Sequence, residues 1–528
     1  MIKDQITSIL RTATQEFSPT EAVLTSSVSR GRFGDYSTNL AFSLSEVKSS
    51  NEVVGIAKKI VAKIKKNDLF SSVEVSSGGF INFHLINSVW LAELQKILEK
   101  RTDYHHSDLN KGKKARVEFI SANPTGPLHI GNARGGPIGD SLASILASSG
   151  YQVLREYFHN DLGGQVEKLG ESLLNIKNGA KLEDQEYKGS YLLEIVEKMA
   201  ANVAQAEKAG RWATELLLKE IINECSKIGI KYDKVYKESD FEENSTKAVL
   251  AKLKDKGLLK EKDGAVWFAS KDEFLEDREA VVIKSNGQPT YFANDIAYHN
   301  LKFSEGYDLI VDELGSGHDG HIPKLKSAIS ALGYDIDKFK VVVHQNVRVK
   351  RGNEVVKMSK RAGNFVSAAE VIGEVGKDAF RFFMLQRAPE THMDFDLDLA
   401  KKQSNENPVY YVQYAYARMS SILNKASPEK EDQEVDFSLI KEPEEIELIK
   451  KLSFLPELVS DISASFAVHQ LTGYAIELAD QFHHFYEKVR VISDDEDVTR
   501  ARLNLVLAAK IVLGQTLALL GVSAPERM

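Results

Sequence analysis

Two short segments, far apart in the sequence, carry the residues best suited to chemistry. The first, residues 121–132, reads SANPTGPLHIGN, and the second, residues 357–364, reads KMSKRAGN. Small residues in the first segment let the backbone approach a ligand, and the helix that follows would offer free N–H groups and a positive dipole end to a phosphate. His129 would add a hydrogen-bond donor, although a lone His-x-Gly is more often a helix cap beside a tightly packed glycine. The length of the string favours the phosphate site.

The second segment is a cationic loop ahead of another predicted helix. Lysines at a loop tip, here Lys357 and Lys360, can neutralise the charge that develops on a leaving pyrophosphate, which is electrostatic catalysis without a protein nucleophile. Alone, such a run is usually a solvated surface. This one belongs to a basic cluster within residues 348–361, which predicts a surface where a polyanion sits.

Predicted strands and helices give both segments a common frame. A strand at 115–120, a helix at about 131–149 and a strand at 152–158 form one βαβ unit, and strands at 308–312 and 340–344 complete a parallel sheet. The sequence therefore predicts a nucleotide-binding fold of the Rossmann-like type.

The whole chain is predicted to be a multidomain α/β protein. A Rossmann-like parallel-sheet catalytic domain spans 111–393 and carries a helical insertion at about 164–280. A small α+β domain with a linker helix precedes it at 1–110. Beyond 394 the pattern shows no strand and four or five amphipathic helices, which predicts an all-α helical bundle over 394–528.

Composition narrows the function classes. At 528 residues the chain is too long for one ordinary core, and its net charge of −8 argues against non-specific coating of nucleic acid. The single cysteine, Cys225, excludes an internal disulfide and a cysteine-based zinc knob. The apolar stretch 504–522 is broken by Lys510 and Gln515 and predicts a core helix, so no membrane partner is expected. The opening residues lack the apolar run of a secretory signal, which predicts a cytoplasmic protein.

In pairing an ATP-binding turn with a Lys-x-Ser-Lys loop, the sequence resembles the class I aminoacyl-tRNA synthetases. Further strings resemble the arginine enzymes among them: Glu118-Phe119, the segments 155–157 and 160–161, YFANDIAYH at 291–299, NPVYYVQY at 407–414, and the ending 520–528. The N-terminal unit resembles that family's extra domain, which touches the outer corner of tRNA. The helical end resembles its anticodon-binding domain.

The resemblance implies an arginine-tRNA ligase that activates L-arginine with ATP and Mg²⁺ and transfers it to the terminal adenosine of tRNA(Arg). It also implies a monomer and a need for tRNA in the first step. The catalytic residues would be His129, Asn132, Lys357 and Lys360. ATP would contact Pro124, Gly126, His129, Gly131, Asn132, Gly315, His318, Lys357, Met358, Ser359 and Lys360. Arginine would contact Glu118, Ser121, Asn123, Glu238, Tyr291 and Asp295.

The chemistry of the substrate agrees, because a guanidinium needs carboxylates in a fork-matching geometry. Taken singly, Asp295 could equally be a helix N-cap and Tyr291 a strand residue. No protein metal site is predicted, because His318 and His321 have no evident third ligand.

Two segments depart from the family's pattern, the end of the first motif and the glycine-rich loop. Asn132 stands where histidine is usual, and its amide can donate a hydrogen bond but cannot carry a proton. In the loop 315–321, Gly317 replaces a common aspartate and His321 a frequent aromatic residue. The same loop spells G-x-G-x-x-G, but a dinucleotide-binding turn normally follows the first strand of its domain.

Three rivals remain at this point. Among the other class I synthetases, the isoleucine, leucine and valine enzymes would need a large editing insertion that 528 residues cannot hold, and the cysteine and class I lysine enzymes use cysteine-based zinc sites, against which the single cysteine argues. A non-catalytic tRNA-binding paralogue would be expected to lose Lys357, Ser359 and Lys360, which are intact. A dehydrogenase rests on the glycine loop alone. In the predicted bundle, Tyr410 and Tyr414 are expected to be buried, with neighbouring aromatics free to stack on anticodon bases.

Overall fold

The computed structural model describes the 528-residue chain except residues 18, 32, 46–48, 65–66, 201, 242, 277, 353, 357–365 and 427–434. The predicted Lys-Met-Ser-Lys segment, Lys357 to Lys360, therefore lies outside the described residues.

The N-terminal region is an α+β unit, as predicted. Its sheet is antiparallel with the order β1 (Val28–Arg30), β2 (Tyr36–Thr38), β4 (Ile81–Leu85) and β3 (Phe70–Val75). In α1, Ile2, Ile6, Leu10 and Ala13 recur at helical spacing and are all buried, which packs this helix on the sheet. The elements are α1 (Ile2–Ala13), α2 (Glu21–Ser27), β1 (Val28–Arg30), β2 (Tyr36–Thr38), α3 (Leu40–Leu44), α4 (Ser50–Lys63), β3 (Phe70–Val75), β4 (Ile81–Leu85) and α5 (Asn87–Lys100).

The middle region is built on a five-stranded, all-parallel sheet with the order β12 (Phe339–His344), β11 (Leu309–Gly315), β5 (Lys114–Glu118), β6 (Gln152–His159) and β7 (Lys234–Lys237). Its first half comprises β5 (Lys114–Glu118), α6 (Ile130–Ala133), α7 (Gly135–Ser148), β6 (Gln152–His159), α8 (Gly164–Lys177), α9 (Tyr191–Lys198), α10 (Ala206–Lys227) and β7 (Lys234–Lys237). Helix α7 lies so close to β5 that a Cβ atom on Gly139 would stand 2.3 Å from the Cβ of Phe119. Only glycine fits there.

The second half returns to the same sheet. It comprises α11 (Glu243–Asp255), β8 (Leu259–Lys262), β9 (Ala265–Ala269), β10 (Glu279–Ile283), α12 (Tyr291–Ser304), β11 (Leu309–Gly315), α13 (Ile322–Leu332), β12 (Phe339–His344), β13 (Val347–Arg351), β14 (Glu354–Val355), α14 (Ala368–Leu385), β15 (Met393–Asp396) and α15 (Leu397–Lys401). Strands β8 to β10 form a separate antiparallel sheet.

Two boundary expectations differ from the structure. The range 164–280, predicted as a helical insertion, contains β7, which pairs in parallel with β6 and is an edge strand of the main sheet. A strand was not expected beyond 394, yet β15 runs to Asp396 and pairs in parallel with β13. Both strands have only four residues, too short for an alternating pattern to stand out in the sequence.

The C-terminal region is a helical bundle, as predicted. Its helices are α16 (Pro408–Lys425), α17 (Pro443–Leu452), α18 (Leu455–Ser465), α19 (His469–Lys488) and α20 (Glu496–Leu520). By length and composition α20 could cross a membrane, but it packs against α16, α17 and α19 as a buried core helix.

The expected burial of Tyr410 and Tyr414 is wrong. Tyr410 is only partly buried and Tyr414 is exposed, because α16 turns Val409, Val412 and Met419 towards the bundle instead.

The first and last regions of the chain meet in a buried polar cluster. The guanidinium of Arg30 lies over the rings of Tyr36 and Phe454 at 4.6 and 5.3 Å and donates to the hydroxyl of Ser453 at 3.1 Å. The Tyr36 hydroxyl donates to Glu457 at 2.5 Å, so that each partner satisfies the other's buried polar atoms.

Candidate active site

The main sheet opens a crevice between β5 and β11. These strands are neighbours, but the chain continues from β5 to β6 on one side and from β11 to β12 on the other. Ligands of parallel sheets bind at such a switch point, outside the carboxyl ends of the strands. Here the structure has a cavity of about 470 Å³. Its lining includes eight of the predicted site residues: Glu118, Ser121, Asn123, Gly131, Asn132, Tyr291, Gly315 and His318.

Two further cavities join this crevice. One of about 250 Å³ is lined by Gly126, His129 and Asn132, and faces the segment Glu186 to Tyr191. The other, of about 860 Å³, has Pro124 and Glu238 in its wall. Of the predicted residues that the structure describes, Asp295 alone does not line these cavities, and it lies directly behind Tyr291 on α12.

Strained backbone shapes the turn after β5. Ile120 and Ser121 have φ values of 68° and 35°, which non-glycine residues rarely adopt. The Ser121 hydroxyl accepts a hydrogen bond from the backbone N–H of Phe158 at 3.0 Å, which holds this conformation against β6. Ser121 therefore turns its hydroxyl towards the sheet.

The rest of the turn is held by neighbouring side chains. Asn160 donates to the amide oxygen of Asn123 at 2.9 Å, and the Tyr191 hydroxyl donates to the carbonyl of Thr125 at 2.6 Å. Tyr191 was not among the predicted site residues. Its partner lies 66 residues away in the sequence, and no spacing pattern indicates such a contact.

His129 caps the start of α6, as expected for most His-x-Gly sequences. Its Nδ1 accepts a hydrogen bond from the backbone N–H of Gly131 at 2.9 Å. A neutral imidazole that accepts at Nδ1 carries its proton on Nε2. The cap therefore fixes the tautomer in which Nε2 is a donor, so that capping and ligand binding are compatible.

The first motif is joined to the residues that follow the second. The N–H of Ile130 donates to the carbonyl of Val366 at 3.2 Å, and the N–H of Ala368 donates to the carbonyl of Leu128 at 2.8 Å. Ser367 then caps α14 through the N–H of Glu370. Residues 366–368, which follow the second motif in the sequence, therefore lie directly beside the His129 turn.

A buried pair that the sequence did not indicate supports the same turn. His344, at the end of β12, pairs through Nδ1 with Glu313 of β11 and donates from Nε2 to the carbonyl of Gly131 at 2.9 Å. Burial works against a charged ring, but the carboxylate of Glu313 outweighs it and raises the pKa of His344.

Beneath the cavity, α12 and three strands share a buried ionic network. Lys302 is fully buried, and its Nζ lies 2.5 Å from Glu118, 2.7 Å from Asp312 and 3.5 Å from Glu156. Arg116 pairs with Glu156 from the other side. Burial raises the pKa of Glu118 even though Lys302 adjoins it. Burial also disfavours the charged form of Lys302, but the neighbouring carboxylates outweigh burial and raise the pKa of Lys302.

Asp295 continues the network towards the cavity. It lies inside α12, whose N-cap is Thr290, so neither Asp295 as a cap nor Tyr291 in a strand is correct. One carboxylate oxygen of Asp295 lies 3.0 Å from His299 Nδ1, and the other lies 2.5 Å from His321 Nε2. Burial opposes its charge, but the two imidazoles outweigh burial and hold the pKa of Asp295 well below its usual range. Asp295 is therefore ionised at neutral pH.

The second predicted carboxylate is placed differently. Glu238 is buried in the turn after β7, where it accepts a hydrogen bond from Asn294 Nδ2 at 2.8 Å. Burial raises the pKa of Glu238. Asn294 precedes Asp295 on the same helix, and Asn294 and Glu238 both line the larger cavity.

Lys302 and His299 were not among the predicted site residues. They follow Asp295 at positions i+7 and i+4 of α12, and all three side chains are buried on one face of the helix. Charged residues on a buried helical face were the signal that could have found them.

Three stretches of the chain match known families. Residues 1–85 match the Arginyl tRNA synthetase N terminal domain, and residues 93–421 match the tRNA synthetases class I (R), catalytic domain. Residues 412–528 match the DALR anticodon binding domain.

Relatives extend over nearly the full chain. An arginine–tRNA ligase of Geobacter sp. (strain M21) is 41% identical over 94% of this chain and 93% of its own length. One from Caldanaerobacter subterraneus subsp. tengcongensis is 41% identical over 100% of this chain and 98% of its own. The structure of Thermus thermophilus arginyl-tRNA synthetase is similar with a TM-score of 0.82 at 22% identity, covering 100% of both chains. At this identity, the similarity to the Thermus thermophilus structure shows a shared fold.

Proposed function

Because the chain belongs to the arginyl-tRNA synthetase family and is an arginine–tRNA ligase, we propose that the crevice between β5 and β11 is where arginine and ATP react. The observation that carries the proposal is convergence. Residues predicted for ATP and for arginine, from segments as distant as Glu118 and His318, line one cavity at the switch point of the sheet.

In the first step the arginine carboxylate attacks the α-phosphate of ATP and pyrophosphate leaves; Mg²⁺ accompanying the nucleotide would supply further neutralisation of the phosphate charge. The substrate supplies the nucleophile, so the protein contributes alignment and charge neutralisation. His129 donates from Nε2 and Asn132 from its amide to the phosphates or ribose, and Gly315 and His318 border the same nucleotide. Lys357 and Lys360 neutralise the departing pyrophosphate.

Arginine's side chain points towards Asp295, with Tyr291 beside it and Glu238 at the far end. Its α-amino group lies near Asn123. The network beneath holds four carboxylates, Glu118, Glu156, Asp295 and Asp312, against three cationic side chains, Arg116, His299 and Lys302. A surplus of negative charge favours a cationic substrate.

The tRNA contacts come from both ends of the chain. The bundle from about residue 394 binds the anticodon and the α+β unit over 1–110 binds the outer corner of the tRNA, which brings the terminal adenosine to the adenylate. Its 2′-hydroxyl is the attacking group in the second step. The enzyme acts as a cytoplasmic monomer that needs tRNA for activation.

Arginine-dependent ATP–pyrophosphate exchange tests this scheme, measured with and without total tRNA and against the other nineteen amino acids. Exchange is expected with arginine alone and only when tRNA is present. Exchange with a different amino acid would overturn the pocket assignment, and exchange without tRNA would overturn the requirement for it.

A pair of lysine variants tests the roles within the basic cluster. Lys360→Ala is expected to lower kcat by roughly 10²–10³-fold with little change in KM for arginine, as for other residues that stabilise only transition-state charge. Lys350→Ala is the matched control, because Lys350 is paired with Asp394 on the neighbouring strand. Equal losses in both variants would assign the effect to the general charge of the cluster.

A further inference from the structure

His321 lies at the junction of the glycine-rich loop and α13, beside Tyr291, which lines the cavity. Its backbone N–H donates to the carbonyl of His318 at 2.8 Å, and its own carbonyl accepts from the N–H of Leu325 at 3.1 Å. The imidazole lies edge-on to Phe292 with ring centroids 5.4 Å apart and is tilted against Tyr291 at 5.8 Å. Both the backbone and the ring of His321 are therefore held in place.

The ring makes one strong polar contact, with Asp295. His321 Nε2 lies 2.5 Å from Oδ2 of that carboxylate, and because Asp295 is ionised the imidazole N–H is the donor. On the opposite oxygen, Oδ1, the neighbour is His299 Nδ1 at 3.0 Å, which also lies 2.9 Å from the backbone carbonyl of Asp295. Each oxygen of Asp295 therefore has one imidazole.

The two imidazoles differ in what stands behind them. His299 is almost fully buried, and its other nitrogen bonds Asp312 at 2.8 Å, so it belongs to the interior network. His321 keeps 20% of its side chain exposed and packs against Tyr291, which lines the cavity. The loop before α13 thus contributes to the arginine end of the site through this ring.

An ionised carboxylate has about four lone-pair positions on its two oxygens. His321 takes one position on Oδ2, and His299, whose Nδ1 is shared between Oδ1 and the backbone carbonyl, takes one on Oδ1, so a single position remains on each oxygen. A guanidinium donates two parallel N–H groups to the two oxygens of one carboxylate. The remaining positions match that fork, provided that the carboxylate cannot rotate.

We propose that His321 is a positioning residue for arginine, which fixes the plane of the Asp295 carboxylate so that its two open lone pairs face the guanidinium of the substrate. The inference rests on the proposed role of Asp295. Without His321, only His299 holds the carboxylate, which can then turn about its last bond and present one oxygen at a time.

Two substitutions at position 321 separate positioning from simple packing. His321→Phe keeps an aromatic ring against Phe292 and Tyr291 but has no N–H to donate. His321→Gln loses the ring, yet its terminal amide can place a donor near the position of the imidazole Nε2. In ATP–pyrophosphate exchange with tRNA present, we expect His321→Phe to raise KM for arginine at least about tenfold, as for loss of a hydrogen bond to a charged group. Its kcat and KM for ATP should stay within about threefold of the unmodified enzyme.

His321→Gln should recover most of the arginine affinity, which a role in ring packing would not allow. The proposal is overturned if His321→Phe leaves KM for arginine unchanged or lowers it, the latter meaning that His321 competes with substrate. It is also overturned if the glutamine variant is no better than the phenylalanine variant, or if kcat and both KM values change together.

Asp295→Asn, measured in parallel, distinguishes the two levels of the argument. If it raises KM for arginine while His321→Phe does not, the arginine site stands and the positioning role is wrong. If it leaves KM for arginine unchanged, the proposed arginine site itself is wrong.

Discussion

Replacing Asp295 with asparagine removes one negative charge from the proposed arginine pocket while leaving the shape of the side chain almost unchanged. The variant can keep both of its neighbours, because the amide oxygen still accepts from His299 and the amide nitrogen can donate to a neutral His321. Changes in binding would therefore reflect the charge and the lost acceptor for the substrate.

The structure sets the scale of the effect. Asp295 is only 8% exposed and ionised, so a guanidinium bound to it would form a buried, charge-assisted, two-bond contact. Truncating one partner of such a pair typically costs about 2–5 kcal/mol. At about 1.4 kcal/mol for each factor of ten, KM for arginine should rise from about 30-fold to a few thousand-fold.

The assay is ATP–pyrophosphate exchange at saturating tRNA, with KM measured separately for arginine and for ATP. KM for ATP should change by less than about threefold, a uniform-binding effect confined to one substrate. Asp319→Asn is the matched control, because Asp319 is an exposed carboxylate in the neighbouring loop that lines none of the three cavities. Equal increases in the two KM values, or an equal effect of the control, would refute the assignment.

Three further predictions concern stability, measured by chemical or thermal unfolding. Lys302→Met leaves buried carboxylates without their cation and should destabilise the protein by about 3–5 kcal/mol at pH 7, less at pH 5, where carboxylates protonate. Burial and Lys302 lower the pKa of His299, but the neighbouring carboxylates outweigh them and raise it to about 9. The charged imidazole therefore stabilises the folded state fully below about pH 6.5, and this contribution is lost as the pH rises through 9. In His299→Gln, the free energy of unfolding should therefore depend less steeply on pH between these two values. Gly139→Ala should destabilise by about 1–3 kcal/mol or more through overpacking, whereas Gly55→Ala, in a helix with open space at its Cβ position, should stabilise by up to about 1 kcal/mol.

Each of these has an outcome that would contradict it. A Lys302→Met variant equally destabilised at pH 5 and pH 7 would mean that lost packing of the alkyl chain dominates. An unchanged slope in His299→Gln would assign the alkaline loss of stability to other groups. If Gly139→Ala and Gly55→Ala unfold alike, the close approach of α7 to β5 is not tight in solution.

Local sequence pattern was enough to predict several of the residues that line the cavity. The small-residue turn at 121–132 predicted a ligand cavity, and eight of the residues assigned to ATP or arginine line one. The parallel sheet followed from the βαβ pattern and from the strands at 308–312 and 340–344. These features are encoded in residue types a few positions apart.

What the sequence could not supply were pairings across the fold. Lys302 reaches Glu118 over 184 residues and His344 reaches Gly131 over 213, and no periodicity records such distances. The predicted burial of Tyr414 was wrong for a different reason. Helical spacing places several residues on each face of α16, and only packing against the other helices decides which face is buried.

The cluster that joins Arg30 and Tyr36 to Glu457 can form only late in synthesis of the chain. Glu457 leaves the ribosome 427 residues after Arg30. At about 5–20 residues per second, that interval is about 20–85 s. Throughout it the N-terminal unit has to exist with an apolar, cationic surface whose partner has not yet been synthesised. Premature release or a pause in synthesis of the last helices would therefore leave this surface open to chaperones and to association with other nascent chains.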